Sequence, residues 1–262
     1  MGIMNTKLGR FCATLAIAGS VGLTAAPAKA DLIQLGFILD GSGSIGSGNW
    51  NIIRAGLANA VNLIPVAGED TYEVSIVQFG ATAQTEVANY VITDAASRTA
   101  LSTIVAGLVY MNGGATNFNA AFTQMATVLG NTIQGADASY VNFATDGQQN
   151  SGGTGVAQRD ALIALGVDNI SVEGIGSGVD QNDLMNNFCY PSACIDITGG
   201  GSANFPGQGF YVGVANAQGY AAVIGNKVRI VTGQPVPEPQ MISLLGLGLL
   251  GLVPMLRRRK SA

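Results

Sequence analysis

A loop rich in glycine and serine is the part of this sequence whose residue types and spacing best suit chemistry. It reads Asp40-Gly41-Ser42-Gly43-Ser44 and follows a nearly unbroken apolar run at 32–40. Because glycines allow the chain to turn sharply, the side-chain oxygens of Asp40, Ser42 and Ser44 can converge on one point. A hard cation such as Mg²⁺ prefers an octahedron of oxygen ligands. The loop therefore predicts part of a divalent-cation site.

Two residues far along the chain can complete such a site. Thr116, within Gly113-Gly114-Ala115-Thr116-Asn117, offers a third hydroxyl, and Asp146, at the end of a predicted strand, offers a second carboxylate. In an open parallel sheet, ligands bind at the carboxyl ends of the strands, which is where these loops begin. We predict a site for Mg²⁺, with Mn²⁺ or Ca²⁺ as alternatives, whose residues are Asp40, Ser42, Ser44, Thr116 and Asp146.

Other interpretations of the same loop are weaker. Glycines at 41, 43 and 46 match the spacing of a dinucleotide-binding fingerprint, but the carboxylate of Asp40 at the mouth of the loop would repel a pyrophosphate. A P-loop is excluded because no lysine follows the glycines. A polar turn in which Ser44 or Ser47 merely caps the next helix would leave the two distant residues unexplained.

Apolar patterning predicts the elements that position these loops. Unbroken apolar runs indicate strands buried on both faces, whereas spacings of three and four residues indicate helices. The predicted strands are 32–40, 72–79, 139–145, 169–175 and 209–214, with an extended edge segment at 83–92. The predicted helices are 50–64, 95–107, 118–130, 156–166, 181–188 and 217–229, the last with Asn216 as its N-cap. Strands that alternate with helices indicate an α/β fold, a doubly wound and mainly parallel sheet flanked by helices.

Composition narrows the classes of function. Charged residues make up only 11% of the chain, whereas an average soluble domain has about 25%. Between residues 31 and 237, five Lys and Arg stand against fifteen Asp and Glu, a net charge of −10. Such a body should not attract nucleic acid or anionic lipid, because both are polyanions. The chain has no histidine, which excludes Ser-His-Asp and Cys-His catalysis and most zinc sites.

The five candidate residues resemble the metal-ion-dependent adhesion site of von Willebrand factor A domains. The pattern of that site is Asp-x-Ser-x-Ser, then a distant Thr, then a distant Asp before Gly, and all five positions match here. The resemblance implies a Rossmann-like fold in which the two serines and Thr116 contact the metal directly. It implies that Asp40 and Asp146 act directly or through water, and that an acidic group of a partner completes the coordination.

This resemblance favours a non-catalytic adhesion or interaction module that binds an extracellular protein or an exopolysaccharide matrix component. Two alternatives remain. One is a Mg²⁺-dependent hydrolase in which Asp40 and Asp146 hold a metal-bound water, and the other is a structural matrix protein that needs no cation. We expect Asp40 to lie on a solvent-facing loop, so that Asp40→Ala would abolish cation-dependent binding and leave the fold intact.

Cys189 and Cys194 form a close pair with four residues between them. A helix at 181–188 would carry the chain to the amino-end side of the sheet, opposite the predicted metal site. Because exported proteins fold in oxidising compartments, we predict a disulfide bond between these cysteines. Two free buried thiols are the alternative.

The beginning of the chain reads as a secretory signal. Lys7 and Arg10 precede an apolar run at 11–23, and the small residues Ala28 and Ala30 precede the predicted cleavage. A membrane anchor is the alternative, but the run is shorter than the roughly 20 residues that a membrane span requires.

The end of the chain has three parts in a fixed order. Val236-Pro237-Glu238-Pro239 is followed by an apolar run from Met241 to Leu256 and by the basic residues at 257–260. By hydropathy alone this is a short transmembrane helix with a basic stop on the cytoplasmic side. The order closely resembles the PEP-CTERM sorting signal of Gram-negative bacteria. That resemblance implies export through the inner membrane, transient anchoring by the tail and its removal by an exosortase; a permanent anchor is the alternative.

These segments predict four parts of the chain. A signal peptide at 1–30 precedes a von Willebrand factor A domain at 31–232. A linker at 233–240 contains the Pro-Glu-Pro motif, and the hydrophobic sorting helix with its basic tail occupies 241–262. The mature protein is expected at the cell surface or in the extracellular matrix.

Overall fold

The computed structural model describes residues 30–191 and 194–236. The predicted signal segment up to residue 29 and the predicted sorting tail from residue 237 lie outside the described residues. Within the described part, no helix combines the length and the apolar character needed to cross a membrane.

A mainly parallel sheet forms the centre of the described chain. Its strands are β1 (Leu32–Asp40), β2 (Thr71–Phe79), β3 (Ala83–Ile92), β4 (Ala138–Thr145), β5 (Asn169–Ile175), β6 (Ile195–Asp196) and β7 (Phe210–Val214). Their order across the sheet is β3-β2-β1-β4-β5-β7-β6. Only the edge strand β3 runs antiparallel, against β2, among these strands of the described chain.

Helices cover both faces of this sheet. They are α1 (Gly46–Val61), α2 (Ala95–Ala106), α3 (Phe118–Leu129), α4 (Val156–Ala164), α5 (Gln181–Asp183) and α6 (Ala217–Val231). One core cluster joins the sheet to α1, α2 and α6, and a second joins it to α3, α4 and the π-helical turn Leu184–Phe188. In β1, Leu39 contributes to the first cluster and Ile38 to the second, which explains why this strand is an unbroken apolar run.

The crevice between β1 and β4 follows from this arrangement. The chain leaves β1 for α1 on one face of the sheet, whereas it leaves β4 for α4 on the other face. The loops after these two neighbouring strands therefore diverge, and they open a crevice at the carboxyl ends of the strands. Asp40 ends β1 and Asp146 directly follows β4, so both lie at this crevice.

The predicted α/β fold with its doubly wound, mainly parallel sheet is confirmed. The first helix begins at Gly46 rather than at residue 50, and Gly46 itself has a positive φ of 69°, which glycine adopts without strain at the turn from the loop into the helix. The predicted helix at 181–188 is instead the short α5 followed by a π-helical turn. Strand β6 was not predicted, since two residues carry no periodicity.

A disulfide bond joins Cys189 and Cys194. Between them, Tyr190 exchanges two backbone hydrogen bonds with Ile170, at 2.8 and 2.9 Å, near the start of β5. The bridge therefore lies at the amino-end side of the sheet, opposite the crevice between β1 and β4.

Candidate functional site

Asp40 lies in a buried position at the end of β1. Its side chain is only 2% exposed. Its Oδ1 accepts a hydrogen bond from the backbone N–H of Ser42 at 2.8 Å, and its Oδ2 accepts one from the hydroxyl of Thr145 at 2.6 Å. The expectation of a solvent-facing Asp40 is therefore wrong. Because Asp40→Ala would leave the buried N–H of Ser42 without an acceptor and remove the short hydrogen bond from Thr145, that substitution would also reduce stability.

A chain of hydrogen bonds leads from this buried carboxylate outward. The hydroxyl oxygens of Ser42 and Ser44 lie 3.0 Å apart, and the Ser44 hydroxyl donates to Oδ1 of Asp146 at 2.7 Å. Ser42 is fully buried, Asp146 is half-buried and Ser44 is exposed. Neither serine caps α1, since its N-cap residue is Ile45 and no side chain bonds there.

Thr116 approaches the same point from a second loop. Its backbone N–H donates to Oδ1 of Asn150 at 2.9 Å, and its carbonyl accepts from the Asn150 N–H at 3.0 Å. A Cβ built on Gly147 would lie 3.5 Å from Oγ1 of Thr116 and 3.9 Å from Oγ of Ser44. The structure thus brings all five predicted residues to one end of the sheet, with the Thr116 side chain 3% exposed.

Glycines bring the two loops into direct backbone contact. The N–H of Gly43 donates to the carbonyl of Gly114, and the N–H of Gly113 donates to the carbonyl of Gly41, each at 2.8 Å. The N–H of Gly41 donates to the carbonyl of Phe79 at 2.6 Å. A pyrophosphate cradle needs free N–H groups, and these are used inside the protein, which argues against a dinucleotide site.

Three further residues hold the site and were not predicted. Thr145 bonds Asp40, and the hydroxyl of Tyr110 donates to the carbonyl of Ser42 at 2.6 Å. The Gln78 amide holds the loop on both sides of Tyr110, since it donates to the carbonyl of Val109 at 2.9 Å and accepts from the N–H of Met111 at 2.7 Å. The sequence could have indicated Thr145, because its hydroxyl directly precedes Asp146 at the end of a strand. The other two bond backbone groups far along the chain, which no sequence pattern reveals.

The electrostatics of the site suit a cation. Burial raises the pKa of Asp40 to about 6, although hydrogen bonds from Ser42 and Thr145 oppose the shift. Burial also raises the pKa of Asp146, and the hydrogen bond from Ser44 opposes it. Among the described residues, no Lys or Arg pairs with either carboxylate. A doubly charged cation would balance both carboxylates.

The donor set also indicates which kind of cation fits. In the part of the chain that the structure describes, no group of three or more His, Cys, Asp or Glu is arranged to hold a metal. Serine and threonine hydroxyls must therefore supply ligands beside the two carboxylates. Such an all-oxygen set fits a hard cation such as Mg²⁺, Mn²⁺ or Ca²⁺.

Solved structures share this fold. The proximal thread matrix protein 1 of the mussel byssus, with a zinc-occupied MIDAS motif, is 19% identical, with a TM-score of 0.56 over 78% of this chain and 47% of that one. A von Willebrand factor type A protein from Catenulispora acidiphila is 18% identical, with a TM-score of 0.54 over 78% of this chain and 42% of that one. This chain thus spans less than half the length of either protein.

In a third solved structure, the match covers a larger share of the protein compared. The manganese-loaded TRAP protein of Plasmodium vivax is 22% identical, with a TM-score of 0.50 over 74% of this chain and 72% of that one. At these identities the likeness shows the fold. A comparison with curated protein sequences gives no match.

The family is established by the sequence itself. A family model of the von Willebrand factor type A domain matches residues 34–196, which is more than half of the chain. The matched range contains most of β1, all of β4 and the loops that carry all five candidate residues. The chain therefore belongs to the von Willebrand factor type A domain family.

Proposed function

We propose that this chain is an exported, non-catalytic adhesion module that binds a divalent cation and, through it, a protein or matrix ligand at the cell surface. The observation that carries the proposal is the convergence of two carboxylates and three hydroxyls at the crevice between β1 and β4. The zinc-occupied MIDAS motif of one structure of the same fold, and the manganese bound in another, support the binding of a divalent cation.

The five residues have distinct roles in this proposal. The hydroxyls of Ser42, Ser44 and Thr116 are neutral ligands, whereas Asp40 and Asp146 supply negative charge and orient the hydroxyls. Because the two carboxylates balance a doubly charged ion, the site can accept one further acidic group from a partner. Cation and partner should therefore strengthen each other's binding by the same factor, since such coupling is reciprocal.

The deciding experiment is calorimetric titration of Mg²⁺ or Mn²⁺ into the purified full chain and its Asp40→Asn variant. Asparagine keeps an oxygen for the Ser42 N–H and a polar group for Thr145 while it removes the charge. We expect the variant to lose measurable uptake of the ion. Asp160→Asn, an equal loss of charge at an exposed position of α4, is the matched control and should bind normally. Equal uptake by Asp40→Asn and the unmodified chain would show that the cation site is wrong.

Two simple assays separate this proposal from its alternatives. A panel of phosphatase and esterase substrates, tested with Mg²⁺, would reveal a hydrolase. Loss of partner binding in EDTA would distinguish cation-dependent adhesion from a matrix protein that needs no cation.

A further inference from the structure

A shallow depression lies beside the candidate cation site. It has a volume of about 520 Å³, and its lining includes Thr82, Asn117, Asn119, Thr123 and Gln158. We call it the amide pocket. These side chains are uncharged amides and hydroxyls, set among alanines and one glycine. Its chemistry therefore differs from that of the carboxylate-bearing crevice.

The amide pocket adjoins both loops of the cation site. Asn117 directly follows Thr116, and Gly152, which also lines the pocket, lies in the loop that begins at Asp146. The Asn117 amide is fixed, because its Nδ2 donates to the carbonyl of Ala81 at 2.9 Å and its Oδ1 accepts from the N–H of Ala120 at 3.1 Å. The amide pocket therefore lies beside the loops that carry Thr116 and Asp146.

Several hydrogen-bonding groups in the amide pocket have no partner. Within the described residues, the side chains of Thr82, Thr123 and Gln158 make no hydrogen bond, and Thr82 and Thr123 are exposed. Asn119 donates its Nδ2 to the carbonyl of Gly152, but its Oδ1 is buried without a partner. Amides present donors and acceptors side by side, as neighbouring hydroxyls of a sugar do.

The pocket lacks the features that other ligands would need. No Lys or Arg lines it, so an anion would not be held there by charge. No large apolar or aromatic side chain lines it. An aromatic or aliphatic side chain of a protein partner would therefore find no apolar surface to pack on there. Neutral hydroxyl groups are the chemistry that remains.

We propose that the amide pocket binds the hydroxyl groups of an acidic polysaccharide while a carboxylate of the same polymer lies at the cation site. This inference rests on the proposed function, because it needs the cation to hold the acidic sugar. It names the ligand class as a polymer of uronic acid type, in which carboxylates and neutral hydroxyls alternate along one chain.

The test compares two acidic polymers in the presence of Mg²⁺. Polygalacturonate carries carboxylates and hydroxyls, whereas polyglutamate carries carboxylates and backbone amides but no hydroxyls. We expect the full chain to bind polygalacturonate at least about threefold more tightly, and EDTA to abolish binding. Gln158→Ala and Thr123→Ala should each weaken polygalacturonate binding about threefold to tenfold, the loss expected for neutral hydrogen bonds, and leave polyglutamate binding and Mg²⁺ uptake unchanged.

The controls keep failure of the pocket distinct from failure of the cation site. Gln218→Ala is matched, because it is the same change at an exposed position of α6, which packs on the opposite face of the sheet. Alanine suits a helix, and all three positions are helical, so Gln158→Ala, Thr123→Ala and Gln218→Ala should melt like the unmodified chain. If the chain takes up Mg²⁺ but binds both polymers equally, the amide pocket does not bind sugar hydroxyls. The same conclusion follows if Gln158→Ala and Thr123→Ala have no effect. Neither result contradicts the cation site. Tighter binding of polyglutamate would point to an acidic polypeptide instead. Absence of Mg²⁺ uptake in the unmodified chain overturns the proposed function and this inference with it.

Discussion

At the scale of single residues, the buried carboxylate of Asp40 governs the candidate site. A strand-end aspartate would ordinarily face solvent, but the hydroxyl of Thr145 and the N–H of Ser42 hold this one inside the crevice. Its pKa is raised to about 6 because burial disfavours the charged form. Burial therefore disfavours the charged carboxylate when no counterion is present, and a cation bound beside it would offset that loss of free energy.

This raised pKa predicts how the site depends on pH. Between about pH 4 and 6 the folded, cation-free protein holds a proton on Asp40 that the unfolded chain has lost, so this group lowers the free energy of unfolding as the pH rises. Because the proton competes with the cation, Mg²⁺ affinity should fall as the pH drops below about 6. Calorimetric titrations on both sides of that pH test this, and an affinity that does not change across it would contradict the prediction.

At the scale of elements, a buried ion pair joins α6 to β5. Lys227 pairs with Glu173, and its Nζ also donates to Oδ1 of Asn142 at 2.6 Å, with the Phe210 ring centroid 5.2 Å away. Burial lowers the pKa of Lys227 to about 8 and raises the pKa of Glu173, while the opposite charge of each partner opposes the shift. The pair thus fixes where the last described helix docks on the sheet.

Replacing one member of this ion pair should reduce the free energy of unfolding more than replacing both members. Lys227→Met alone leaves Glu173 buried without a counterion and should lower the free energy of unfolding by about 3–5 kcal/mol. The double variant Lys227→Met with Glu173→Leu should recover most of that loss, because no unpaired charge remains. Denaturant unfolding of the two single variants and the double variant measures the coupling; a double variant less stable than Lys227→Met would refute it.

The disulfide is a second link at this scale. It closes a short loop between the π-helical turn and β6, so its contribution to stability should be modest, about 2 kcal/mol. In protein isolated from its native host, unfolded but not reduced, we expect a thiol reagent to leave Cys189 and Cys194 unmodified. Peptide mapping identifies the modified positions, and labelling of both cysteines would mean two free thiols.

At the scale of the whole molecule, charge is distributed unevenly. The stretch from 31 to 237 carries a net charge of −10, whereas seven of the twelve Lys and Arg lie nearer the two ends of the sequence. An acidic body with the proposed cation site should avoid polyanions except where a bound cation attracts a carboxylate. Those seven basic residues lie in the predicted signal peptide and the predicted sorting tail.

The tail is predicted to be absent from the mature protein. If an exosortase removes it near Pro237-Glu238-Pro239, protein isolated from the native host lacks the segment from Met241 to Ala262. An intact-mass measurement checks this directly. A mass that includes the tail would indicate a permanent anchor.

The sequence by itself determined the fold class, the five candidate site residues and the cysteine pair. Apolar runs, glycine-serine loops and strand-end carboxylates are local patterns, and parallel strands bring their carboxyl ends to one edge of a sheet. Only the tertiary structure decided that Asp40 is buried, that Tyr110 and Gln78 hold the loops, and that an amide pocket lies beside the crevice. These features arise from contacts between residues distant in the chain, many of them with backbone groups that every residue type carries. The local periodicity of the sequence therefore cannot predict them.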